Sequence, residues 1–90
     1  MTDDIQIIEG LYEAILKLNS KEECKNFFDD LCTYKEVEQM AQRVEVAKML
    51  LDGATYDEVI AKTNISSATL SRVSKCIKRG KGYNTILKKQ

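Results

Sequence analysis

Histidine is missing from all 90 residues, as are proline and tryptophan, and only three cysteines are present. Without histidine there is no Ser-His or Cys-His nucleophile activation, no imidazole acid–base chemistry, and none of the commonest metal ligand. Cys24, Cys32 and Cys76 are an odd number with no Cys-x-x-Cys spacing, which argues against a disulfide framework and against a cysteine zinc site. Cys24 and Cys32 neighbour Phe27, Phe28 and Leu31, where a reduced thiol packs as a small hydrophobe. The carboxylate pairs Asp3/Asp4, Glu22/Glu23 and Asp29/Asp30 are adjacent in sequence. Neighbours on a helix diverge by about 100° and cannot converge on one substrate bond. An enzyme would have to be built from carboxylates, Tyr or Lys alone, so the sequence predicts a protein that is not an enzyme and uses no metal or cofactor.

Long apolar runs are also lacking, since no stretch approaches the roughly 18 residues of a transmembrane helix. The chain opens with Thr2, Asp3 and Asp4, where a secretory signal would carry Lys or Arg. A cytoplasmic protein with no membrane partner is expected. Ninety residues make a single small domain that buries only about 60–65% of its unfolded surface, so the core is thin and a second subunit would help it.

Acidic residues are absent from the whole C-terminal third. No Asp or Glu occurs from Val59 onward, while Lys62, Arg72, Lys75, Lys78, Arg79, Lys81, Lys88 and Lys89 give that part a formal +8. The part before it carries −8, and the net charge is zero. Charge segregated in this way can present one basic face to a polyanion while the molecule stays neutral as a whole.

What is present is helix-forming sequence. A hydroxyl followed three residues later by Glu occurs three times, as Ser20/Glu23, Thr33/Glu36 and Thr55/Glu58, and each match opens an apolar-periodic segment. In such a capping box the hydroxyl accepts from the N3 amide and the carboxylate reaches back to the cap amide. The pattern predicts an all-α chain with helices over 3–18, 21–31, 34–52, 56–63, 67–79 and 83–89. The first carries Ile5, Ile8, Tyr12, Ile15 and Leu16, a stripe wide enough for a core or a dimer seam. The third carries Val37, Met40, Ala41, Val44, Ala47, Leu50 and Leu51 and stops at Gly53. Surplus apolar surface on several helices of a small chain predicts an obligate dimer, with a compact monomeric bundle as the alternative.

Residues 55–79 read as two short helices joined by a tight turn, "TYDEVIAKT", "NIS" and "SATLSRVSKCI", the spacing of a helix-turn-helix. On a wheel of about 100° per residue Leu70, Val73 and Ile77 fall within roughly 60° and form a docking stripe. Ala68, Ser71, Arg72, Lys75 and Arg79 lie opposite, with Ser67 and Lys78 on the flank. Small and hydroxyl side chains near a helix N-terminus allow close approach to base edges, and the basic residues beyond them suit phosphates. Double-stranded DNA is the expected partner.

From Thr33 to Lys78 the chain resembles the Trp repressor superfamily, most closely its YerC/YecD branch. The resemblance is carried by "QRVEVAKMLLDG", "TYDEV" and "ISSATLSR". It implies a six-helix fold forming an intertwined homodimer, with 1–53 and 83–90 supplying dimer-core helices and 55–79 the DNA reader. It adds Thr69 as a DNA-contacting threonine, although the wheel places it nearer the buried edge. It implies that Thr33, Arg43 and Arg72 stand where the family grips a tryptophan corepressor. Two departures speak against tryptophan: Val73 replaces a glycine that leaves room for the indole, and Cys76 replaces a serine that helps hold the ammonium. Arg43 and Arg72 would then bind another small anion, or form ion pairs for which Glu45 and Asp57 are available. Asp57 replaces an arginine of the family's reader, so a different operator is expected, and Asn64 replaces the turn glycine, a change left-handed geometry tolerates. The function predicted is a homodimeric transcriptional regulator, a repressor, with or without a small-molecule effector. The rival is a helical interaction module whose basic face docks on an acidic protein.

Overall fold

The structure is a computed structural model in which residues 4–88 are described. They form α1 (Asp4–Leu16), α2 (Lys21–Leu31), α3 (Tyr34–Leu51), α4 (Tyr56–Thr63), α5 (Ser67–Arg79) and α6 (Gly82–Leu87), with no strand among the described residues. The predicted boundaries match within two residues; positions 3 and 89 lie outside the described residues. α1 stops at Leu16 because its last turn tightens, the Lys17 and Leu18 amides donating to the Ala14 and Ile15 carbonyls at 3.1 Å each. No helix among the described residues is long and apolar enough to cross a membrane.

The helices group into two compact units, one running to Tyr34 and the other from Lys35. In the first, the Ser20 hydroxyl caps α2 by accepting from the Glu23 amide at 3.0 Å. The Glu23 carboxylate accepts from the Asn19 amide at 2.8 Å, one residue earlier than a strict capping box would place it. Phe27 and Phe28 meet edge to face with ring centroids 5.6 Å apart. Cys24 and Cys32 are half-buried thiols, as packing residues would be. No residue of α1 or α2 is buried. The apolar stripe of α1 is open instead, with Ile5, Ile7, Ile8, Leu11, Tyr12 and Leu16 all exposed.

The second unit holds the core. Val46 and Ala47 from α3, Val59 from α4, Ile65 from the turn, and Leu70 and Val73 from α5 form one buried cluster. Met49, Leu50, Ala54, Ile77, Tyr83 and Leu87 pack around it half-buried. Gly53 ends α3 at φ +95, a conformation that a Cβ makes costly, and it permits the sharp change of direction into α4. The full capping box is realised at α4. The Thr55 hydroxyl accepts from the Glu58 amide at 3.1 Å, and the Glu58 carboxylate accepts from the Thr55 amide at 2.8 Å.

With only eight residues, α4 is too short to persist on propensity alone and depends on its cap and on Val59. Thr55→Ala should therefore destabilise the protein by about 1 kcal/mol, while Thr55→Ser should retain most of the stability. Urea unfolding followed by circular dichroism would show the two variants separating by that amount.

Candidate nucleic-acid interface

The spacing of α4 and α5 leaves three residues to reverse the chain, and each has a distinct part. Asn64 takes up left-handed geometry, φ 58 and ψ 28, and its amide donates to the Ile60 carbonyl at 2.8 Å. Asparagine tolerates this region better than other residues with a Cβ, as the substitution for glycine anticipated. Ile65 turns inward and joins the core. Ser66 is extended and caps α5, its hydroxyl accepting from the Thr69 amide at 3.2 Å and donating to the Thr69 hydroxyl at 2.9 Å. The Gln42 amide of α3 donates to the Thr63 carbonyl at 3.0 Å and ties the end of α4 to the long helix. Thr63 closes the same corner, donating to the Val59 carbonyl at 2.7 Å and accepting from the Ile65 amide at 3.3 Å.

These contacts hold α5 with one side in and one side out. Leu70 and Val73 are buried and Ile77 is half-buried against them. Ser67, Ala68, Ser71, Arg72, Lys75, Lys78 and Arg79 are all exposed. Thr69 is half-buried with its hydroxyl engaged by Ser66, at the edge where the wheel put it. Arg79 departs from a purely outward position, because its guanidinium donates to the Cys76 thiol at 3.4 Å. With Lys81 it lines an open groove of about 500 Å³, together with Val44, Cys76, Tyr83, Ile86 and Leu87. α5 closes at Gly80, which takes φ 71 and donates its amide to the Ile77 carbonyl at 3.0 Å.

Of the three positions matched to the corepressor grip, Thr33 lies in the first unit, and Arg43 and Arg72 are exposed on α3 and α5 of the second. Glu45 is not paired with either arginine: its carboxylate lies 3.8 Å from the Lys62 ammonium, on the adjacent helix α4. At that distance and exposure the ion pair contributes little to stability. Val73 is only 1 % exposed and its side chain is committed to the core. Among the described residues no three cysteine or carboxylate side chains converge as metal ligands would.

Three contacts that hold the reader in place were not anticipated from the residues: the Ser66 cap, the Gln42 tie, and a hydrogen bond from the Tyr56 hydroxyl to Ser74 Oγ. The Ser66 cap has a local signal, a serine just before an apolar-periodic run, but lacks the glutamate that marked the others.

The model of the Trp repressor protein family matches residues 6–90. The chain belongs to the Trp repressor family. Among its relatives is the uncharacterized protein YerC of Bacillus subtilis strain 168, 48% identical over 73 residues that make up 81% of this chain and 70% of YerC. A crystal structure of a candidate Trp repressor from Staphylococcus aureus superposes with a TM-score of 0.86 at 42% identity, covering 91% of this chain and 83% of that one. A TrpR-like protein from Eubacterium eligens ATCC 27750 gives 0.84 at 43% identity, with 90% and 84% covered. The chain is thus a Trp repressor family member on the YerC branch, a family of helix-turn-helix regulators rather than enzymes.

The left-handed turn residue offers a direct check on this geometry. Asn64→Gly should leave stability within about 0.5 kcal/mol of the parent, whereas Asn64→Ala should cost about 1 kcal/mol, because only the latter forces an alanine Cβ into that region. Thermal unfolding of the three proteins side by side would reveal the order.

Proposed function

We propose that this protein is a cytoplasmic, sequence-specific DNA-binding transcriptional regulator, a repressor, that acts as a homodimer through α4 and α5. The observation that carries this reading is the outward face of α5, on which seven residues are exposed without a single carboxylate among them. Ser67, Ala68, Ser71 and Arg72 meet the base edges of the major groove, where alanine can touch a thymine methyl and serine can donate or accept. Thr69, half-buried, reaches only the groove wall. Lys75, Lys78 and Arg79 neutralise phosphates and fix the register. In a two-fold dimer the two readers address half-sites about one helical turn, roughly 34 Å, apart, so the operator is palindromic. Binding there excludes other proteins from the same groove, which is repression by occupancy.

Tryptophan is not the effector in this reading. The small slot that a glycine would open is filled by Val73, which is part of the core. Arg43 and Arg72, with Thr33, are left to hold a different small anion, or none.

Fluorescence anisotropy with duplexes selected from a random pool tests the assignment. Lys75→Ala should weaken binding to every duplex and reduce the slope of log K against log salt by about one. Ser71→Ala should change the preference between duplexes more than the average affinity. If the parent protein fails to bind any duplex at low salt, the reading is wrong and a protein partner takes DNA's place. For the effector, a ligand that binds only the native state must raise the melting temperature. Millimolar tryptophan should leave the Tm unchanged, and a clear upward shift would contradict the assignment of Val73.

A further inference from the structure

An apolar stripe decides which side of a helix faces inward, but it does so loosely, because dispersion and burial carry no direction. Leu70, Val73 and Ile77 would tolerate some rotation of α5 about its own axis. A directional contact on one flank of the stripe would remove that freedom, and the structure contains one. The Tyr56 hydroxyl, on the first turn of α4, donates to Ser74 Oγ on α5. Among the described residues Ser74 is the buried polar one, 7 % exposed. On the helix it lies about 20° from Ser67 and about 60° from Ser71, so it sits on the flank that leads into the base-reading side. Residues 56 and 74 are far apart in sequence, and nothing local obliges them to meet.

From this we infer that Tyr56 and Ser74 form a rotational stop that sets which edge of α5 enters the groove, making Tyr56 a positioning residue for operator selectivity. The inference rests on the DNA-binding reading above. Its consequence follows from the lengths of the side chains involved. A rotation of about 20° moves atoms at the rim of a helix, roughly 5–6 Å from its axis, by about 2 Å. That displacement exceeds the tolerance of a hydrogen bond from a serine or a contact from an alanine. Lysine and arginine, with three or four methylenes of reach, follow a phosphate through the same movement. Loss of the stop should therefore cost selectivity while sparing non-specific affinity.

Removing only the tyrosine hydroxyl by Tyr56→Phe leaves the Ser74 hydroxyl buried and without its donor, which lowers stability and confuses the reading. Ser74→Ala is milder, because Tyr56 is 46 % exposed and its hydroxyl can turn to water. The double variant Tyr56→Phe/Ser74→Ala removes both partners and should unfold close to the parental temperature. The experiment compares the parent, S74A and the double variant by anisotropy on two probes: the tightest duplex selected by the parent from a random pool, and a scrambled duplex of the same length. The expected result is a loss of roughly tenfold on the selected duplex for both variants, the worth of one good base contact. Affinity for the scrambled duplex should stay within about twofold and the salt slope should be unaltered, since the phosphate contacts are retained. Equal discrimination by parent and variants overturns the inference while leaving the DNA-binding reading standing. A loss on both probes that tracks the melting temperature also overturns it, as a purely structural role would give that pattern. A parent that binds neither duplex removes the DNA-binding reading and this inference together.

Discussion

Six side chains hold the reader to the rest of its unit. Val46, Ala47, Val59, Ile65, Leu70 and Val73 come from α3, α4, the turn and α5, and no pair of these elements has a core that excludes the others. Each fully buried valine contributes about 1.5–3 kcal/mol through its apolar area. With so few fully buried residues among the described ones, the stability of the unit and the seating of the helix-turn-helix depend on the same contacts. Val73 is one of these six and is 1 % exposed. A glycine there would open space beside α5, and valine closes that space with its own side chain.

Apolar packing of this kind brings α5 to the unit, and polar contacts then define its attitude. Gln42 holds the end of α4 to α3 through the Thr63 carbonyl. Asn64 turns the chain in left-handed geometry, and Ser66 starts α5 afresh by satisfying the Thr69 amide. Each of these satisfies a backbone group that reversal of the chain would otherwise leave unpaired, which is the general requirement at helix ends. The turn is therefore specified by two side-chain contacts, from Gln42 and Ser66, and by one left-handed backbone position at Asn64.

Local chemistry was legible in the residues and distant chemistry was not. Helix starts could be placed because a hydroxyl and a glutamate three residues apart form a short-range unit, and the Thr55/Glu58 box is realised as the spacing implied. The outward face of α5 could be read because its periodicity is regular and its charge is of one sign. Tyr56 with Ser74, Gln42 with Thr63 and Glu45 with Lys62 could not be paired in advance, because each joins helices whose mutual rotation is set only once the core has formed. The Glu45 case shows the limit plainly. Charge complementarity offered Arg43 or Arg72, and the packing of α4 beside α3 supplied Lys62 instead. Arg79 was legible as a basic residue of the outer face but not in its contact with Cys76, since sulfur is a weak acceptor that spacing alone does not single out.

The first unit raises the complementary issue of surface with no cover. α1 exposes six large apolar residues, Leu16 at 82 %, and neither of its unit's helices contains a buried residue. An apolar stripe of that length is unfavourable in water. Trp repressor family proteins generally bind DNA as dimers. The acidic residues all precede Val59, and the outer face of α5 is basic. The carboxylates of the helix-turn-helix, Asp57 and Glu58, stand on the first turn of α4 rather than on the outer face of α5.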